Sequence, residues 1–252
     1  LITIGIIGSG NVAWHLALGF QSASGISVSW ILGRNESTLK ELNKVTGIRT
    51  VSKFTNETVD LIVICVNDDS VQTIINQLPQ EAKVVYTSGT VSLDNLSFSQ
   101  NNFGVFYPLQ TFTKTKKIDL KDVPFLIEST NEIFTKELEK IAKLLSNDVR
   151  RINSEQRKHL HIAAVFSNNF VNHLFHLAQE HLKEKEIDKT ILYPLIKETI
   201  NKAIEVGPYD AQSGPARRND IQTIDCQKQE LNGLSKEIYT LITESILKTY
   251  SK

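Results

Sequence analysis

The run Ile2-Thr3-Ile4-Gly5-Ile6-Ile7, followed at once by Gly8-Ser9-Gly10-Asn11-Val12-Ala13, limits the possible folds more than any other stretch. A short, apolar, β-branched run of this kind reads as a buried strand with neither face left to solvent. The glycines then let the backbone turn tightly and approach a ligand closely. From Asn11 to Phe20 the pattern becomes helical, with Val12, Leu16 and Phe20 at i, i+4 and i+8. A helix N-terminus after a glycine turn offers free N–H groups and a partial positive charge, which suits a pyrophosphate. Strand, G-x-G-x-x-A and helix together form the dinucleotide-binding pattern. Gly8, Ser9, Gly10, Asn11 and Val12 are therefore the first cofactor candidates. A tight turn in an α/β sheet with no ligand is the alternative.

The next strand, Val28 to Leu32, ends in Gly33-Arg34-Asn35, and a helix over Glu36 to Asn43 follows. An NAD-preferring site would carry an acidic residue here for the ribose 2′-hydroxyl. Arg34 instead offers a guanidinium that can pair with a 2′-phosphate, with Asn35 beside it, so the expected cofactor is NADP(H). A solvated surface cation is the plainer reading of Arg34. A third strand is expected near Arg49 to Ser52, and Asp60 to Val66 is the clearest strand of all. Ligands lie at the carboxyl ends of parallel strands, so Val66 and Asn67 should face the cofactor, while Asp68 or Asp69 suits a cap of the next helix, Val71 to Gln77. Further strands are expected at Lys83–Tyr86, ending in Thr87-Ser88-Gly89, at Phe103–Tyr107, at Val123–Ile127 with Glu128 at its end, and at Val149–Ile152. An amphipathic helix fills Glu132 to Leu145. This alternation predicts a doubly wound, largely parallel α/β sheet, a Rossmann domain.

After Asn153 no strand pattern appears. Helices are expected over Glu155 to about Lys185, from Lys189 to Val206 with its start delayed toward Pro194, from Asp220 to Leu231, and from a Ser235 cap to Lys248. The chain thus divides into an α/β domain, residues 1–152, and an all-α domain, residues 153–252. The formal net charge is zero, so bulk electrostatics gives no argument for a nucleic-acid or membrane partner. No apolar run approaches a membrane span. Cys65 and Cys226 are far apart, which reads as free thiols in a cytoplasmic protein.

The first helix of the second half is crowded with polar groups. His159, His161, Ser167, Asn168, Asn169, Asn172, His173 and His176 flank Ala163, Ala164, Val165 and Phe166. At 3.6 residues per turn His161, Asn168 and Asn172 share a face, and His161, Val165 and Asn169 form an i, i+4, i+8 row. Buried polar groups need partners or a cavity; capping, bridging or solvation is the structural alternative. A metal is not expected, because no nearby carboxylate or cysteine completes a tetrahedral set. Gly214-Pro215-Ala216-Arg217-Arg218-Asn219-Asp220 is the second unusual stretch. Arg218 there can take a substrate carboxylate, or Asp220 can cap the following helix with Arg218 paired to it.

These stretches, with Thr87-Ser88-Gly89, Tyr107-Pro108-Leu109-Gln110-Thr111-Phe112 and His161 to Phe170, resemble a family that joins an NADP-binding Rossmann-like domain to a helical domain akin to that of 6-phosphogluconate dehydrogenase. Its members are named as NADP or deazaflavin-dependent oxidoreductases, so a deazaflavin as second redox partner stays open. Three departures stand out. Tyr107 takes the place of a histidine before Pro-Leu-Gln, Asn168 replaces a serine, and Asn219 replaces a glycine, where asparagine best tolerates positive φ.

The resemblance implies an NADP-dependent oxidoreductase acting on a small oxo or imino acid, like ketopantoate reductase or the imino-acid reductases. A nucleotide sensor without turnover is the alternative. The substrate is expected between the nicotinamide and the helix carrying His161 and Asn169. His161 is the candidate proton donor and Asn169 the candidate for polarising the carbonyl, with Ser88 and Gln110 assisting and Asn168, Asn172 and Arg218 contacting substrate. On an uninterrupted helix His161 and Asn169 lie about 12 Å apart along the axis, so they should act on different parts of the substrate. Broad apolar faces on Ile191–Ile204 and Ile238–Leu247 point to a homodimer through the helical domain. NADPH should bind at least about tenfold more tightly than NADH, a gap of about 1.4 kcal/mol. In fluorescence titrations Arg34→Ala should remove most of that gap by weakening NADPH alone; equal affinities in the unmutated protein would contradict the assignment.

Overall fold

A computed structural model describes residues 1–250, which fall into two compact units, Leu1–Asn168 and residues 169–250. The first unit is built on one eight-stranded sheet. Its strands are β1 (Ile2–Ile7), β2 (Ile26–Leu32), β3 (Thr50–Val51), β4 (Leu61–Ile64), β5 (Lys83–Tyr86), β6 (Asn102–Pro108), β7 (Phe125–Ser129) and β8 (Val149–Arg151). They lie in the order β3-β2-β1-β4-β5-β6-β7-β8. β1 to β6 run parallel, β7 reverses against β6, and β8 is parallel to β7. The strand order turns outward from β1 on one side and from β4 on the other. That makes the crevice beyond their carboxyl ends the topological switch point where nucleotides bind in such sheets.

Alternation along the strands splits the core in two, because successive side chains point to opposite faces. Ile4, Ile6, Leu61, Val63, Val85 and Phe106 meet α1 (Asn11–Ser22), α2 (Glu36–Thr46) and α4 (Glu132–Leu145). Ile7, Ile62, Ile64, Val84, Tyr86 and Val105 meet α3 (Asp68–Ile75) on the other face. Asn35 and Asn131 cap α2 and α4 by accepting from Thr38 N–H and Phe134 N–H, and Gly47 ends α2 at φ 69°. Asp68 and Asp69 occupy the first turn of α3 rather than its cap, so that helix begins three residues before the expected Val71.

The polar helix does not run unbroken from Glu155 to Lys185. α5 (Ser154–Ala164) gives way to a π-helical segment, Val165–Phe170, before α6 (Val171–Glu184). The Ser167 hydroxyl lies 3.0 Å from the Ala163 carbonyl and 3.5 Å from that of Ala164, a back-bonding known to disturb an α-helical ladder. The 3.6-residue row drawn through His161, Val165 and Asn169 therefore does not describe this helix.

In the second unit a short 3₁₀ turn capped by Asp188 leads into α7 (Leu192–Val206), where Pro194 sits in the first turn as its missing N–H requires. α8 (Pro208–Ala211) is a single turn that the sequence reading did not contain. Asp220 caps α9 (Ile221–Gln229), and α10 (Gly233–Tyr250) starts two residues before the expected Ser235 cap. α6, α9 and α10 enclose a cavity of about 760 Å³, lined by Leu174, Leu177, Gln227, Ile238, Ile242 and Ile246 among others. Few side chains in this unit are buried; Ile191, Ile204 and Leu241 are 69%, 79% and 70% exposed. No helix among the described residues is long and apolar enough to cross a membrane.

Leu138 on α4 is fully buried between sheet and helix. Leu138→Ala should cost about 2–5 kcal/mol in urea denaturation of the first unit's signal, and a loss under about 1 kcal/mol would contradict this packing.

Candidate active site

The turn after β1 is held by its first glycine. Gly8 has φ 129°, and a Cβ there would lie 2.1 Å from the carbonyl oxygen of Cys65. Its N–H donates to Leu32 O at 2.7 Å, so the ends of β1, β2 and β4 converge on one residue. Gly10 differs: nothing lies within 4 Å of where its Cβ would be. It is the N-cap of α1, with no side chain capping that helix and no acid in the first turn. The first N–H groups of α1 thus face open space with the helix dipole behind them, which fits a pyrophosphate. Ser9, Asn11 and Val12 border the same opening. Burial pushes the nearby Cys65 thiol up to about 12, so it stays neutral and adds no negative charge there.

Arg34 is exposed at the end of β2 and has no ion pair among the described residues, which leaves its guanidinium available for a 2′-phosphate. The oxygen of the Asn35 side chain is already occupied by the cap of α2, accepting from Thr38 N–H at 3.0 Å and Ser37 Oγ at 2.7 Å. Val66 is half-buried and Asn67 exposed at the N-cap of α3, beyond β4.

At the ends of β5 and β6 the structure joins residues the sequence treated apart. The Tyr107 hydroxyl lies 3.1 Å from His161 Nδ1. A Cβ on Gly89 would fall 2.5 Å from that nitrogen and 2.9 Å from the tyrosine oxygen, so only glycine leaves room for the pair. Desolvation raises the Tyr107 pKa, with Arg157 opposing it and Asp68 adding to it. Ser88 is buried and used internally. Its Oγ accepts from Thr90 N–H at 3.1 Å and Val91 N–H at 3.0 Å and touches Thr90 Oγ1, which donates to Asp68. Gln110 is exposed two residues beyond β6, its Oε1 accepting from Thr111 N–H at 2.8 Å.

Beneath His161 lies Arg157, 1% exposed and the largest fully buried side chain. It ion-pairs with Glu128 and donates to Val91 O at 2.6 Å and Ser154 Oγ at 3.2 Å. Glu128 also accepts from Ser154 N–H and Ser154 Oγ, both at 2.8 Å. Asn153 and Gln156 complete a reciprocal cap. The start of α5 is thereby clamped to β7 and to the loop after β5, one helical turn before His161. The sequence marked Glu128 only as a strand end and did not single out Arg157 within its helix.

Asn168, Asn169 and Asn172 are exposed, so they are not the buried polar groups that the apolar run around them suggested. Arg218 is exposed within a turn closed by Asp220 N–H to Pro215 O, with Asn219 at φ 57° as its glycine-like position requires. Asp220 is spent on Thr223, whose N–H and hydroxyl it accepts. Among the described residues no three His, Cys, Asp or Glu side chains gather as a metal site.

Comparison with known proteins agrees with this architecture. Residues 3–90 match the family model "NADP oxidoreductase coenzyme F420-dependent", and residues 123–246 match a domain of unknown function, DUF2520. No curated protein matches the chain. Among solved structures, a candidate NADP oxidoreductase from Bacteroides fragilis is 33% identical, with TM-score 0.91 over 98% of both chains. A protein from Thermotoga maritima is 21% identical, with TM-score 0.72 over 98% of both chains. The 1-pyrroline-5-carboxylate reductase of Streptococcus pyogenes is 14% identical, with TM-score 0.67 over 100% of this chain and 99% of that one. At the last two identities the likeness is one of fold. Fold, glycine turn and family model together define an NADP-dependent oxidoreductase. The chain belongs to the same family as the Bacteroides fragilis protein.

The two glycines separate fold from binding. Gly10→Ala should cost under about 1 kcal/mol of stability, since it changes only a cap residue, yet weaken NADPH at least about tenfold by filling the cradle. Gly8→Ala should cost about 1–3 kcal/mol through forced backbone strain. Calorimetry with NADPH titration checks both, and full affinity in Gly10→Ala would contradict the placement of the pyrophosphate.

Proposed function

We propose that this oxidoreductase reduces the C=N or C=O bond of a small imino or oxo acid. The observation that carries the reading is the Tyr107–His161 pair at the carboxyl ends of β5 and β6, in the same sheet as the glycine turn. It supplies a proton-bearing group beside a nucleotide fold, which is what reduction of a polar double bond requires. Solved structures of like fold include pyrroline-5-carboxylate reductases and an imine reductase from Myxococcus stipitatus, which supports a small imino acid ahead of an oxo acid.

When bound, NADPH supplies the hydride. His161 holds the proton that the substrate nitrogen or oxygen takes up. The Asn169 amide, uncharged at every working pH, polarises the double bond. Ser88 keeps the 88–91 turn in place, and Gln110 orients substrate through its amide nitrogen. Asn168, Asn172 and Arg218 hold the substrate carboxylate, a role a guanidinium fills well. In this division of labour residues 1–152 bind cofactor and residues 153–252 bind substrate and form a homodimer. The exposed apolar side chains of α7 and α10 support that assembly. Cytoplasmic placement belongs to the same reading and rests on the two free thiols.

A panel of cyclic imino acids and short oxo acids, followed by loss of NADPH absorbance, tests the proposal. One of them should be turned over, and Asn169→Ala should lower that turnover at least about a hundredfold with NADPH affinity nearly unchanged. Tight NADPH binding with no oxidation across the panel would favour a nucleotide sensor. Light scattering at micromolar concentration should give twice the chain mass, and a monomer would overturn the dimer.

A further inference from the structure

We propose that Tyr107 is a positioning residue for His161: its hydroxyl donates to Nδ1, fixes the neutral imidazole as the Nε2–H tautomer, and leaves that N–H as the group His161 presents. The contact is 3.1 Å, and the two rings lie 6.3 Å apart at 60°. Of the two possible directions for this hydrogen bond, the surroundings favour the tyrosine as donor. Were Nδ1–H the donor, the phenolic hydrogen would need another acceptor, and the Tyr107 oxygen has no second partner among the described residues. Burial also holds the phenol in its protonated form. His161 Nε2 has no partner among the described residues, so its hydrogen is unspent.

The geometry is enforced from three sides. Gly89 alone leaves the space between β5 and the pair. Tyr107 lies in β6, paired with Leu126 of β7. Arg157, four residues before His161 and on the same helical face, is locked to Glu128 in that same β7. The charged and titratable groups facing the pair are Arg157 on α5, Glu128 on β7, Asp68 on α3 and Tyr86 on β5. Glu128 and Tyr86 are both engaged with Arg157, so neither competes for the imidazole. The second ring nitrogen of a histidine is set by what the first one bonds to, and Tyr107 is the only such bond here among the described residues.

The catalytic consequence rests on the reading of His161 as proton donor, in which the imidazolium passes its Nε2 proton to substrate while Nδ1–H donates to the Tyr107 oxygen and returns to the neutral pair. The tautomer of the neutral ring does not rest on it. The test is ¹⁵N NMR of histidine-labelled full-length protein, at a pH where imidazoles are neutral, with His161→Gln to assign the signal. The unmutated protein should show His161 protonated at Nε2 and bare at Nδ1. Tyr107→Phe should move both shifts toward the mixture of tautomers of a free imidazole, with melting temperature and NADPH affinity retained. An Nδ1–H tautomer in the unmutated protein, a result that needs no variant to fold, overturns the proposal. So do shifts unchanged in Tyr107→Phe. A protein with the expected tautomer that never oxidises NADPH would overturn the reductase reading and leave this one standing.

Discussion

The first unit's candidate site depends on a buried guanidinium. Arg157 has no solvent to satisfy it, so its charge must be met by Glu128 and its N–H groups by Val91 and Ser154. Removing one partner of such a pair costs about 3–5 kcal/mol, because the other charge is left buried alone. These contacts fix the first turn of α5 onto both β7 and the loop after β5. His161, one turn further along α5, inherits its position from it. Arg157 Nε has no partner among the described residues, a local cost that the rest of the network offsets.

The second constraint is steric. Gly8 and Gly89 sit where neighbouring strands end, and each is a glycine because another group occupies the space of a Cβ: the Cys65 carbonyl in one case, the Tyr107–His161 pair in the other. Gly10 is a glycine with empty space around it. Two positions thus serve the protein's own packing, and the third is not required by it. Within the turn after β1, Gly8 thus closes the ends of the strands while Gly10 leaves the start of α1 open.

Much of the α/β unit was legible in the sequence, because its information is local. Lys83–Tyr86 and Glu132–Leu145 form as read, and the other strands shift by no more than a few residues. Period-two and period-3.6 patterns need no knowledge of partners. What was not legible depends on distant partners. Nothing local separates Arg157 from the exposed Arg150; its burial follows from Glu128, 29 residues away, and Val91, 66 away. The π-helical segment hides in a sequence that reads as ordinary helix, since the Ser167 back-bond within it also occurs in regular helices, as at Thr199 in α7. Tyr107 stands where the resembling family has a histidine, and in the structure its hydroxyl lies 3.1 Å from the ring nitrogen of another, His161. The asparagines after His161 looked buried because their neighbours are apolar, but that face is open to solvent in a single chain.

The central claim is that the chain moves a hydride from NADPH to a small C=N or C=O substrate. Its most direct test is mass spectrometry after incubation of the protein with NADPH deuterated at both C4 positions and a mixture of cyclic imino and short oxo acids. The account predicts one product carrying a single deuterium on carbon, formed in step with oxidised cofactor and lost in His161→Gln. Deuterium that stays wholly on the cofactor, in a protein that binds it tightly, would contradict the account.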